Sequence, residues 1–308
     1  MTDRLVAERI LVLADDSPGA AAAVRAGTRF AEGLGAPLAI LGVAQTADED
    51  SRIETALASA FAAARERIPS VEVVRATGDL IETARRRLAE SPSALVLVGA
   101  RWRPGEGHSR IAPGVWRLVH SLEPPVMVTP PGEGEISRAL FCTGGERFID
   151  EGARFAAKLL AAVRASVTVL HVLPAVPGMY GDRMREEEAD VPDFLASNSR
   201  TSRNVRRQVE IFRSAGVNAE LRLATGDVAP RIFEEIRRGG HDLLVVGSSP
   251  ARGTLRTYML GDLSRDIVGR AGRAFLVLRS RPPGLLTEIW RSLKEGAAEG
   301  SAESSALE

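Results

Sequence analysis

The chain has 308 residues with 40 basic and 40 acidic side chains, a formal net charge of zero and a pI near 7.0. That balance argues against nucleic acid or an anionic membrane surface as the main partner, because either would leave a basic excess. Hydrophobic residues at 44% and charged ones at 26% exclude global disorder, and at about 150 residues per domain the length suggests two domains.

The elements alternate along the chain. Ile10 to Ala14 is a short apolar run, and Ala20 to Leu34 has helical character. Gly35-Ala36-Pro37 then punctuates before a second apolar run, Leu38 to Val43. A helix is predicted from Ile53 to Ile68, a strand over Val71 to Val74, and a helix over Ile81 to Leu88. Ala94 to Val98 reads as a buried strand, Val115 to Ser121 as a helix and Val126 to Val128 as a last strand. Short continuous apolar strands between helices indicate a parallel sheet covered on both faces.

The order then recurs. Strands are predicted over Ala139–Thr143, Val167–Leu173, Ala219–Leu223, Leu243–Val246 and Phe275–Leu278. Helices are predicted over Gly152–Val163, Thr201–Ala215, Val228–Ile236 and Leu263–Val268. Ala76-Thr77-Gly78-Asp79 returns unchanged as Ala224-Thr225-Gly226-Asp227, an offset of 148 that also relates Gly99 to Gly247. Matching the first strands sets Asp15 opposite Gly144 instead, an offset of 129, so the second copy holds about 19 extra residues, placed within 174–202. The expected organisation is a first domain over 1–132, a hinge at Pro130 to Gly134, a second domain over 133–281, and a segment 282–308. In that segment Leu286, Ile289, Trp290 and Leu293 give a short helix one apolar face, and a disordered tail follows.

In an open α/β sheet, ligands bind beyond the carboxyl ends of the strands where the strand order reverses, so the loops after strands one and four carry the candidates. In the first copy these read Ala14-Asp15-Asp16-Ser17-Pro18, and Gly99 to Gly105 running on to Gly114-Val115. In the second they read Thr143-Gly144-Gly145-Glu146, and Gly247 to Gly253 running on to Gly261-Asp262.

On these loops, and on the strand–helix order over about residues 9–281, the chain resembles the tandem two-domain members of the universal stress protein family. The resemblance implies two Rossmann-like domains of the adenine nucleotide alpha-hydrolase-like type, each a five-stranded parallel sheet with helices on both faces. It implies a stress-response regulatory protein that binds rather than turns over a substrate. It also implies an intramolecular pseudo-dimer in which Pro125–Thr129 and Ala274–Arg279 pair, with a homodimer and a protein partner left open. The cofactor it implies is ATP or another adenine nucleotide. The nucleotide residues carried over are Asp15, Val43, Gly99, Arg101, Arg103 and Gly114 in the first half, and Gly247, Arg252, Gly253 and Gly261 in the second.

The physics of such loops is that glycines let backbone N–H groups approach phosphate and the following helix N-terminus favours an anion. Both copies depart from the family's G-x2-G-x9-G-[ST] pattern. Gly99 to Gly114 is 15 residues where the family has 13, with Trp102 at the second glycine and Val115 at the hydroxyl position. Gly247 to Gly261 is 14, Asp262 takes the hydroxyl position, and Gly144 replaces the nucleoside Asp. Binding is therefore expected to be weak and centred on Asp15. The alternative is a nucleotide-independent interaction module whose loops serve only structure. Arginines on the loops offer forks that hold phosphate where a hydroxyl is missing. Asp16 and Ser17 read as caps of the helix beginning near Gly19.

The remaining chemistry-bearing residues suggest neither catalysis nor a metal. The single cysteine, Cys142, excludes a disulfide framework and reads as a core residue. His108, His120, His171 and His241 lack metal spacing, and His171 and His241 have no evident Asp or Ser partner; His108, in the glycine loop, reads as exposed loop polarity. Neither a G-x-S-x-G elbow nor a Walker motif is present. Met1 to Glu8 has no apolar run of a secretory signal, and no apolar stretch is long enough to span a bilayer, so a cytoplasmic protein is expected. The zero charge is a sum of unequal parts. Residues 1–132 carry −1 and 134–281 carry +5, which leaves room for an anionic ligand or partner on the second half.

Overall fold

The computed structural model describes residues 9–100, 102–103, 110–111, 113–132, 135–173, 191–247 and 272–278. The first half runs β1 (Arg9–Leu13), α1 (Pro18–Leu34), β2 (Leu38–Ala44), α2 (Ala47–Arg65), β3 (Val71–Thr77), α3 (Leu80–Glu90) and β4 (Ser93–Gly99). A two-residue hairpin, β5 (Trp102–Arg103) with β6 (Arg110–Ile111), precedes α4 (Pro113–Ser121) and β7 (Val126–Thr129). The second half repeats the plan with β8 (Arg138–Thr143), α5 (Asp150–Ala162), β9 (Ser166–Leu173), α6 (Val191–Ala196), α7 (Arg200–Ser214), β10 (Ala219–Thr225), α8 (Val228–Gly239), β11 (Leu243–Gly247) and β12 (Ala274–Leu278).

Ten strands form one sheet in the order β10-β9-β8-β11-β12-β7-β4-β1-β2-β3. Every pairing is parallel except β12 with β7, where Leu276 faces Met127. Each five-strand set therefore has strand order 3-2-1-4-5 and switches direction between its first and fourth strands. The closing strands meet in the middle, as the resemblance implied. Side chains alternate across a strand, so the sheet divides the core in two. One face packs Val12, Phe30, Ile40, Leu97, Phe141 and Phe212 beneath α1, α2, α5 and α7. The other packs Leu11, Val96, Trp116, Leu140, Leu244 and Phe275 beneath α3, α4 and α8. Trp116 stacks on Phe275 with ring centroids 5.6 Å apart, a contact between the two halves worth about 1 kcal/mol beyond its burial.

Local chemistry explains the element boundaries. Ser17 caps α1 by accepting from the Ala20 N–H at 3.1 Å, Pro18 opens the helix, and Gly35 closes it at φ +63°. The repeated Ala-Thr-Gly-Asp tetrapeptide performs one structural task twice. Gly78 and Gly226 stand at φ +127° and +122°, and their N–H groups bond the carbonyls of Ala44 and Leu173 at 3.0 and 2.9 Å. Asp79 and Asp227 follow as the N-cap residues of α3 and α8. The tetrapeptide thus fixes a strand-to-helix turn in each half.

Two differences from the sequence reading have simple causes. α2 begins at Ala47, six residues before the predicted start, because Thr46 accepts from the Glu49 N–H and Asp48, Glu49 and Asp50 favour its N-terminus. α6, between β9 and α7, was not predicted; it has no buried residue and hence no apolar periodicity to read. The predicted helix Leu263–Val268 lies outside the described residues.

Where the halves meet, α1 crosses α5 so closely that a Cβ added to Gly33 would lie 2.1 Å from the Ala162 carbonyl oxygen. These positions are 129 apart, the offset that matches the first strands, so equivalent points of the two helices touch each other.

Candidate functional site

The first half has a cavity of about 580 Å³ at the carboxyl end of β1, between α1 and α2. Asp15, Asp16, Ser17, Arg25 and Arg52 supply polar groups to its lining. Its walls are small, with Ala20, Ala21 and Val24 on α1 facing Ala56, Ser59, Ala60 and Ala63 on α2. This volume lies within the range of small-molecule sites, which combine apolar walls with a few polar groups.

Each of these polar residues has a defined position. Asp15 is half-buried, and its Oδ1 accepts from the Ser17 N–H at 2.9 Å, a turn that holds the carboxylate at the strand end. Asp16 does not cap the helix as expected; it pairs with Arg52 at 3.0 Å, so Ser17 alone is the cap. Arg25 bonds the Gly132 carbonyl, joining the cavity lining to the crossover between halves.

The other predicted residues are dispersed. Val43 is half-buried in β2, beside Ala76, and is not part of the cavity wall. Gly99 ends β4 under the start of α1, where an added Cβ would come within 2.2 Å of the Ala20 nitrogen. This glycine is required by packing, whatever else it does. Gly114 is exposed in α4, and a Cβ there would meet nothing within 4 Å. Arg103 lies in β5 of the hairpin, and Gly247 closes β11. Arg101, Arg252, Gly253 and Gly261 lie outside the described residues.

In the second half the equivalent helix, α7, is bonded to the loop that follows β8. Thr143 donates its hydroxyl to Gln208 Oε1 at 2.6 Å, and Gln208 Nε2 donates to the Glu146 carbonyl at 3.0 Å and to Asp150 Oδ1 at 3.3 Å. Asn204 Nδ2 donates to the Gly145 carbonyl at 2.9 Å. His171 Nδ1 lies 2.9 Å from the Thr143 carbonyl, which makes Nδ1 the protonated nitrogen, and its ring packs on Phe194 of α6. Gln208, Asn204 and His171 are all buried. Burial pushes the His171 pKa below the usual imidazole value, outweighing the opposite pull of its carbonyl bond.

The offset of 148 sets Ala56, Ala60 and Ala63 opposite Asn204, Gln208 and Ile211. Equivalent positions Leu57 and Val205, and Ala64 and Phe212, are buried in both helices. One half therefore has alanines where the other has amides that bond its own loop. The sequence carried this signal, but only an alignment of α2 with α7 exposes it; searching for glycine loops does not.

Cys142 and His241 are buried as well. Cys142 lies in the core, where burial, and then the Glu235 charge, push its thiol pKa up. His241 is buried with Nε2 3.6 Å from Glu235 Oε1, a partner the sequence did not reveal. Burial lowers its pKa despite that carboxylate. Among the described residues no group of three or more His, Cys, Asp or Glu could hold a metal ion, and no helix is long and apolar enough to cross a membrane.

Comparison with solved structures places this architecture. The chain is similar to a universal stress protein from Archaeoglobus fulgidus DSM 4304, with 14% identity, TM-score 0.60, and 89% of this chain and 96% of that one covered. It is similar to a functionally unknown protein from Pseudomonas aeruginosa PAO1, with 18% identity, TM-score 0.60, and 95% and 97% covered. It is also similar to a putative universal stress protein from Pseudomonas aeruginosa UCBPP-PA14, with 17% identity, TM-score 0.62, and 88% and 93% covered. At these identities the likeness is one of fold. No curated protein matches the chain. The universal stress protein family profile matches residues 136–279, so the chain carries a domain of that family over this segment.

Proposed function

We propose that the protein is a tandem universal stress protein, with domains over 1–132 and 133–281, that takes one adenine nucleotide in its first half and acts in the cytoplasm by binding rather than turnover. The observation that supports this is the 580 Å³ cavity lined by Asp15, against a helix α7 bonded to its own loop at Thr143. Asp15 would accept hydrogen bonds from the nucleoside, and Arg25 and Arg52, which line the same cavity, would face the phosphates. The second half, with Gly144 in place of the aspartate and α7 bonded to its own loop, would serve as a structural partner.

A nucleotide-independent interaction module is the second reading, favoured by the packing duty of Gly99. Equilibrium dialysis against millimolar ATP separates the two. The proposal expects binding that Asp15→Ala abolishes; absence of binding, or binding indifferent to that substitution, supports the second reading.

A further inference from the structure

The crossover between the halves lies along α1. Thr129 Oγ1 donates to the Gly19 carbonyl at 3.1 Å, Arg25 Nη2 donates to the Gly132 carbonyl, and Arg29 Nη1 pairs with Glu135 Oε1 at 3.0 Å. Successive points of the crossover are thus held at successive heights on the helix, over a span of about 15 Å at 1.5 Å per residue. Of these residues Arg25 also lines the cavity, so one guanidinium touches both the crossover and the proposed site.

Backbone constraint, not packing, places the Gly132 carbonyl. Pro130 and Pro131 stiffen the chain ahead of it, since each ring fixes its φ. Gly132 itself stands at φ +147°, a region that glycine alone enters readily. A Cβ added there would meet nothing within 4 Å among the described residues. A side chain at this position would therefore not clash; it would turn the backbone, and the carbonyl with it.

On the reading that the cavity takes a nucleotide, we infer that Gly132 is a positioning residue for it. Its carbonyl holds the Arg25 guanidinium in place for the phosphates, so the crossover to the second half sets the affinity of the first. A neutral carbonyl fixes a guanidinium without cancelling its charge. An arginine fixed beforehand loses less rotamer freedom when an anion arrives, which is the gain of preorganisation. That gain falls on the phosphates alone, because Asp15, not Arg25, meets the nucleoside.

Isothermal titration of the full chain with ATP and with adenosine tests this in Gly132→Ala, Arg25→Ala and the double variant. Gly132→Ala should weaken ATP about three- to tenfold, the cost of ordering one long side chain, and leave adenosine unchanged. In the Arg25→Ala background it should have no further effect, because the carbonyl then has nothing to hold. Gly35→Ala strains the far end of the same helix at φ +63° and should leave the ratio of the two affinities unaltered. ATP affinity indifferent to Gly132→Ala, an equal loss for both ligands, additive effects of the two substitutions, or the same change of ratio in Gly35→Ala would each overturn the inference while the nucleotide reading stands. An unsubstituted chain that binds neither ligand would overturn both.

Discussion

Thr143 and Gln208 are joined by a 2.6 Å hydrogen bond at the centre of a buried polar network that ties α7 to the loop after β8. Gln208 is fully buried and also serves the Glu146 carbonyl and Asp150. Gln208→Ala is expected to cost about 2–4 kcal/mol, since it strands buried polar groups and opens a void. Urea unfolding read by far-UV circular dichroism checks this; a change below about 0.5 kcal/mol, the range of surface substitutions, would show the network to be slack.

The reciprocal substitution addresses the first half. Ala60→Gln places a longer side chain into the cavity and should weaken nucleotide binding at least tenfold, with little loss of stability because the space is open. Unchanged affinity measured by fluorescence competition would place the ligand outside the α1–α2 groove.

Two glycines on α1 separate packing from backbone conformation. Gly33→Ala drives a methyl into the Ala162 backbone and should cost about 3 kcal/mol or more, because two main chains must separate. Gly35 stands at φ +63° with open space around it, so Gly35→Ala should cost only the left-handed penalty of about 1–2 kcal/mol. Thermal unfolding of both variants should show that order, and the reverse order would mean that the helix crossing is loose.

The pH dependence follows from His171 and His241, whose pKa values burial lowers in the folded state. The unfolded chain then binds more protons than the folded one below the unfolded imidazole pKa of about 6.5. Their contribution is complete above that pH and is lost as pH falls towards the folded values. His171→Asn, which keeps a donor for the Thr143 carbonyl, should flatten the fall in stability between about pH 6.5 and 5. An unaltered slope in denaturant titrations at these pH values would exclude His171 as a contributor.

Much of the fold was legible because it is written in local signals. Continuous apolar strands such as Ala94–Val98 specify a doubly covered parallel sheet, and the repeated Gly-Asp turn marks the duplication through its positive-φ glycine. The site was only partly legible. Asp15 was singled out by the resemblance, and it lines the cavity between α1 and α2. The alanines of α2 were not, since Ala56 and Ala60 carry no chemistry and matter only against Asn204 and Gln208. His241 and Glu235 meet through the turn after α8, a contact that sequence spacing does not encode.

The central claim is that the first half of the chain takes a nucleotide while the second, with α7 bonded to its own loop, takes none. Isothermal titration of the purified chain with ATP tests it most directly. The account predicts a single nucleotide bound per chain, lost in Asp15→Ala and retained in His171→Asn. Two equivalent sites per chain, or one site that survives Asp15→Ala, would contradict it.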